Sequence, residues 1–170
     1  MKYFIDTEFA ESPGKIDLIS IAIVAEDGRE FYAEVSDFDD SSANEWVAAN
    51  VLPYLWRKAA DKTPYNAWSL NGSYGGLFTK RELPGEIVRF VTCKNPEFWG
   101  YYADYDWVVF CWLFGAMIDL PEGWPMYCKD YKQLIDCNGL EISQPVNVHH
   151  ALMDAKWLKN SYSENFGLSK

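Results

Sequence analysis

A chain of 170 residues fits one domain with a single core, long enough to position one catalytic site. With 49% hydrophobic and 17% aromatic residues, and no apolar run near the roughly 18 to 20 residues that span a bilayer, it reads as soluble and globular, without a membrane partner. The formal charge of −10 argues against the usual nucleic-acid footprint of clustered Lys and Arg, unless several acids converge on metal ions that reverse the local field.

The opening MKYFIDTEF reaches an acid at position 6 without an apolar h-region and cleavage signal, so the expected location is cytoplasmic. Cys93, Cys111, Cys128 and Cys137 form no CxxC pair and are expected to be reduced packing residues. The YFI run reads as a central strand ending at Asp6 to Phe9, and Glu11 to Lys15 as a turn. IDLISIAIV and REFYAEV, separated by Glu26-Asp27-Gly28, read as a hairpin, so three strands come first.

Ser41-Ser42 followed by Glu45 predicts an N-cap for a helix carrying Trp46, Val47, Val51 and Leu55, bent or ended by Pro53. Trp68 to Gly76, rich in Gly, Ser and Asn, reads as a loop. A helix is expected over about Lys80 to Val91, starting near Pro84. A strand over Phe98 to Tyr102 then leads into a buried helix closing at Gly115. A short extended piece at Met126 to Cys128, a helix from Asp130 to Cys137 and a last helix from about His149 to Tyr162 complete the order. Strands followed by helices alternating with short strands describe an α/β chain, expected as one domain over residues 1–170.

Asp6 and Glu8 stand two apart on the first strand, so a period of two sends both carboxylates to one face. They repel unless a cation joins them, although DTE can equally be a polar strand exit. In ADYDWVVFCWLFG the helical wheel puts Asp106 with Val109, Phe110 and Leu113, and turns Asp104 the opposite way. A carboxylate on an apolar face is costly unless it is protonated, bound to metal, or paired with a buried base or its own helix end. In HHALMDAKWLKNSY, Asp154 flanks the stripe of Ala151, Ala155, Leu158 and Tyr162. His149, about 140° from it on an ideal wheel, shares its site only from a loop or first turn, which Pro145 and Asn147 make available. A histidine at a helix start is also a common capping residue.

The conjunction is more specific than its parts: D-x-E ending the first strand, an inward Asp opening a mid-chain helix, and H-x-x-x-x-D in the last helix. The segments YFIDTEF, DLISIAIV, YYADYDWVVF and HHALMDA resemble the exonuclease motifs of the DEDDh group of the RNase H-like superfamily. Within that group, FIDTEF, ISIAIVAEDGREFYAEV, NVLPYL and HHALMDA are most similar to a small bacterial, mycobacterial and phage family of 3′-to-5′ exoribonucleases. The likeness runs from residue 1 to about 160 and is poor over 56–95. The chain departs from the larger group where Phe9-Ala10 follows Asp6-Thr7-Glu8, so the nucleotide contacts of that loop do not transfer.

This resemblance implies an RNase H-like exonuclease fold, a mixed central sheet with antiparallel first three strands and helices on both faces. It implies Asp6, Glu8, Asp106 and Asp154 as metal ligands and His149 as general base, the five-residue spacing selecting His149 over His150. Hard oxygen ligands suit two Mg²⁺ ions, for which Mn²⁺ can substitute, and disfavour Zn²⁺. Such a pair serves in-line hydrolysis of a phosphodiester, with a neutral imidazole taking the water's proton. The expected substrate is an RNA 3′ end, single-stranded or overhanging, and the expected product a nucleoside 5′-monophosphate. The motifs leave open a single-stranded DNA exonuclease and, with less to explain His149, a non-catalytic acidic metal-binding module.

Phe9, Trp68, Tyr74, Tyr102 and Tyr105 are candidates for base stacking, against the alternative that they are core. Lys80-Arg81 and Lys129 to Lys132 are candidates for phosphate contact, against solvated surface charge. Eight tryptophans, eleven tyrosines and ten phenylalanines exceed what one small core readily encloses. With the dimeric relatives in the resembled group, they give the expectation of a homodimer.

Overall fold

The computed structural model describes residues 1–58, 68–144 and 149–168. The β-branched and aromatic residues at the start build three long antiparallel strands: β1 (Lys2–Ser12), β2 (Lys15–Ala25) and β3 (Glu30–Val35). The sheet is completed by β4 (Trp68–Leu70), β5 (Ser73–Phe78), β6 (Glu97–Gly100) and β7 (Lys129–Asp130), in the order β4-β5-β3-β2-β1-β6-β7. β5 pairs parallel to β3, and β6 parallel to β1, so the sheet is mixed.

Alternation along the strands sorts the core into two faces. Tyr3, Ile5, Ile19, Ile21, Ile23, Phe31 and Ala33 face α2 (Leu83–Phe90) and α3 (Asp104–Phe114), meeting Ile87, Phe90, Val109 and Phe110. The residues between them face the other way. Phe4 and Trp99 pack with α4 (Tyr131–Cys137) and α5 (Ala151–Phe166), while Ala22, Val24 and Tyr32 pack with the start of α5. Helices thus cover both faces, as an RNase H-like exonuclease fold requires. Among the described residues no helix is long and apolar enough to cross a membrane.

Several local expectations are corrected. β1 does not end at Phe9: a bulge between Glu8 and Phe9 absorbs one residue, and pairing with β2 continues to Ser12. The expected loop at Trp68 to Gly76 is the β4–β5 hairpin, whose Asn71-Gly72 turn has both φ angles positive, 51° and 80°. That dipeptide is a strong two-residue hairpin signal, masked here by the Ser and Gly around it. The cap of α1 (Glu45–Asn50) is Asn44, whose side chain accepts from the Val47 N–H at 2.9 Å; Ser41 and Ser42 lie in a separate 3₁₀ turn. α1 stops before Pro53, leaving Val51 and Leu55 outside the helix yet buried. The piece expected at Met126 to Cys128 pairs instead at Lys129–Asp130. The last helix begins at Ala151 and runs to Phe166.

The junction from β6 into α3 is tight. A Cβ on Gly100 would lie 2.5 Å from the Cβ of Ala103, and Tyr102 takes a left-handed φ of 56°. The carboxylate of Asp130 accepts from the Ala103 N–H at 2.8 Å and from the Gln133 N–H at 2.9 Å, joining the starts of α3 and α4. Gly100→Ala should therefore destabilise the protein by roughly 1–3 kcal/mol, read as a lower urea midpoint. A wild-type midpoint would show that the junction relaxes freely.

Candidate functional site

Period two places Asp6 and Glu8 on the α5 side of β1, opposite Ala22 and Ser20 of β2. Asp154 meets them from the first turn of α5. Carboxylate oxygens of Asp6, Glu8 and Asp154 all lie within 4.8 Å of one another. Asp106 enters from the first turn of α3 and is held by the residue between the two strand acids: the Thr7 N–H and hydroxyl both donate to its Oδ1, at 2.8 and 2.6 Å. Asp106 is buried and Asp104 exposed, the division read from the helical wheel.

The electrostatics are those of anions forced together. Burial, then Asp106, Glu8 and Asp154, hold the Asp6 carboxyl well above the usual range. Burial, followed by Asp154 and Asp106, pushes Glu8 up to about 8. Asp106 rises to about 6 by burial, against the opposing Thr7 hydrogen bonds. Asp154 also rises to about 6 by burial, opposed by the His150 N–H, which donates to its Oδ2 at 3.3 Å. Burial and the neighbouring carboxylates all act upward on Asp6 and Glu8. A cluster of hard oxygen donors surrounded by further acids fits a divalent cation in chemistry and in charge.

The two histidines are placed differently. His150 is buried and caps α5: its Nδ1 accepts from the Leu152 N–H at 3.3 Å, and its ring stacks on Tyr32 with centroids 4.8 Å apart. Burial lowers its pKa. His149 is exposed, outside the group of mutually close carboxylates, with its ring edge-to-face on Trp46 at 4.6 Å. Pro145 and Asn147, read as loop and cap residues, fall outside the described residues.

Other sequence candidates separate in the same way. Phe9 and Tyr105, each next to a site acid, meet edge-to-face at 5.9 Å, and Tyr102 is exposed. Tyr74 belongs to the core: its hydroxyl donates to the Glu86 carbonyl at 2.6 Å and its ring packs on Phe31 and Phe90. Lys80 pairs with Asp17, Lys129 with Glu97 and Lys132 with Asp136, while Arg81 is exposed. Sequence reasoning missed Thr7 and Asp130. A threonine between two acids carries no signal that its backbone N–H lies on an open strand edge, and Asp130 was legible only as a helix start.

The model of the 3′-5′ exoribonuclease Rv2179c-like domain matches residues 1–166. Two curated relatives from Mycobacterium tuberculosis are similar to this chain: 3′-5′ exoribonuclease Rv2179c of strain ATCC 25618 / H37Rv and 3′-5′ exoribonuclease MT2234.1 of strain CDC 1551 / Oshkosh. Each is 38% identical over 158 residues, covering 92% of this chain and 88% of the relative.

Raised carboxyl pKa values have a defined thermodynamic sign. The folded state keeps protons that the unfolded chain gives up near pH 4, so each raised acid contributes stability that is lost as pH climbs through its folded pKa. The metal-free protein should therefore melt at progressively lower temperature from about pH 5 to 8, the window set by pKa values near 6 and 8. Asp6→Asn should flatten that slope and raise the melting temperature at pH 8. A melting temperature that rises from pH 5 to 8 in the presence of chelator would contradict the uncompensated cluster.

Proposed function

Because the chain belongs to the 3′-5′ exoribonuclease Rv2179c-like domain family, we propose that it is a divalent-cation-dependent exoribonuclease that removes nucleoside 5′-monophosphates from RNA 3′ ends. The observation that carries the reading is the mutual approach of Asp6, Glu8 and Asp154 to within 4.8 Å, with Asp106 tied beside them through Thr7. These four carboxylates would hold two Mg²⁺, or Mn²⁺ in their place. Bound there, the pair supplies Lewis-acid stabilisation of the attacking and leaving oxygens in an in-line displacement.

The chain's own residues do the remainder. β1 and the first turns of α3 and α5 fix the four acids, so the phosphodiester is presented to a preset constellation. The imidazole of His149 accepts a proton from the attacking water. The new bond joins that oxygen to the phosphorus of the terminal nucleotide, and the bond to the preceding 3′ oxygen breaks. The terminal nucleotide leaves with its 5′-phosphate, and the departing 3′ oxygen takes a proton from solvent water, so the shortened strand ends in a 3′-hydroxyl. His149 is the better base because the Nδ1 of His150 is taken up in capping and its ring is buried. First and last elements both build the site, which supports residues 1–170 acting as one exonuclease domain.

A homodimer is part of this proposal. Tyr105, Val108 and Trp112 form an exposed stripe on α3, and Ile118 beyond it is 74% exposed, an apolar surface suited to a two-fold contact.

With 5′-labelled RNA and Mg²⁺ or Mn²⁺, the expected result is a descending ladder that chelator abolishes and that Asp6→Asn or Asp154→Asn reduces to background. A matched DNA oligomer cleaved faster than RNA would move the reading to a DNA exonuclease. Metal-dependent cleavage retained near wild type in either variant would end the carboxylate assignment. Light scattering at micromolar concentration should give about twice the 19.6 kDa of one chain; a single-chain mass that does not change on concentration would exclude the dimer.

A further inference from the structure

Trp46 sits oddly for its chemistry. It lies in the first turn of α1, a helix of six residues whose buried contribution is Val47, and it remains 53% exposed. A large indole left half in water contributes little to the core. Its ring nevertheless packs edge-to-face on His149, with centroids 4.6 Å apart and an interplanar angle of 72°. Among the described residues it is the ring that touches His149.

The segment bearing Trp46 is fastened to the sheet by a buried acid. Glu34 of β3, 2% exposed, accepts from the Trp56 N–H at 2.5 Å, the Arg57 N–H at 3.1 Å and the Tyr32 hydroxyl at 2.8 Å. Val47, Val51 and Leu55 pin the same stretch into the core. Trp56 then packs against Tyr32 and His150, the neighbour of His149. One anchored stretch, residues 44–58, therefore reaches both histidines: Trp56 packs on the one that caps α5, and Trp46 meets the one left exposed. An exposed imidazole on a flexible side chain samples several rotamers, and an edge-to-face contact on an anchored indole restricts them.

We propose that Trp46 is the positioning residue for His149, setting the imidazole for proton transfer without touching the substrate. The proposal rests on His149 being the general base. Misplacing a catalytic group by about 1 Å can cost on the order of a hundredfold in rate, so Trp46→Ala should lower kcat by about 10- to 100-fold with KM nearly constant. Trp46→Phe, which keeps an aromatic edge, should recover most of that loss.

The decisive experiment is a double-mutant cycle on kcat, with saturating RNA oligomer and Mg²⁺ and with melting temperatures recorded for every variant. His149→Ala alone should lose about 10² to 10⁴ in kcat. In that background Trp46→Ala should cost nothing further, because the ring has no imidazole left to place. A Trp46→Ala loss that persists in full in the His149→Ala background, or one that appears in KM alone, would overturn the proposal and mark Trp46 as a substrate contact. A loss accompanied by a large fall in melting temperature and not rescued by Phe would overturn it in favour of a structural role. Wild-type kcat in His149→Ala alone would remove the base assignment and the proposal with it, an outcome distinct from failure of Trp46.

Discussion

Asp6, Glu8 and Asp154 crowd their carboxylates within 4.8 Å in a half-buried setting where their neighbours are more acids, and the fold must hold that repulsion in place. It does so by drawing the groups from a paired central strand and two helices packed on the sheet. β1 is paired on one side with β2 along its length and on the other with β6 over Lys2 to Phe4 only, which leaves the Thr7 N–H free for Asp106. The two helix-borne acids occupy first turns, where backbone N–H groups and the helix dipole favour negative charge. Rigid presentation of mutually repelling oxygens is destabilising by itself. A cation bound among them would replace the repulsion that raises the pKa values by attraction to one centre.

The adjacent histidines show how one residue of displacement divides a buried helix cap from an exposed ring. His150 enters the helix cap, loses solvent and stacks on Tyr32, and its main chain donates to Asp154. His149, one step earlier, stays in water. Burial that lowers the pKa of His150 favours its neutral form and suits an accepting cap. The exposed neighbour keeps both ring nitrogens clear of that cap and rests on Trp46 instead.

Much of this was legible in the sequence because it depends on period alone. Spacing of two put Asp6 and Glu8 on one face, and the wheel distinguished buried Asp106 from exposed Asp104. Pro84 and Gly115 marked helix ends near where they lie. What stayed hidden depends on pairing partners. The bulge after Glu8 exists only against β2, and the Thr7 clamp only because β6 stops short. Residues 68–78 have weak strand character, and pairing of β5 with β3 stabilises what composition alone describes as a loop. Excess aromatic residues were visible as a count, but their division between core and surface needed the packed structure.

If the four acids form a site completed by divalent cations, calorimetric titration of Mn²⁺ into metal-free protein must register it. Performed near pH 7 in two buffers of different ionisation enthalpy, it should show two ions bound per chain with net proton release, as carboxyls held near 6 to 8 give up protons to metal. Asp6→Asn and Asp154→Asn should each weaken binding and reduce the protons released. Failure to bind, or binding that releases no protons and survives both substitutions, would rule out a metal site on these carboxylates.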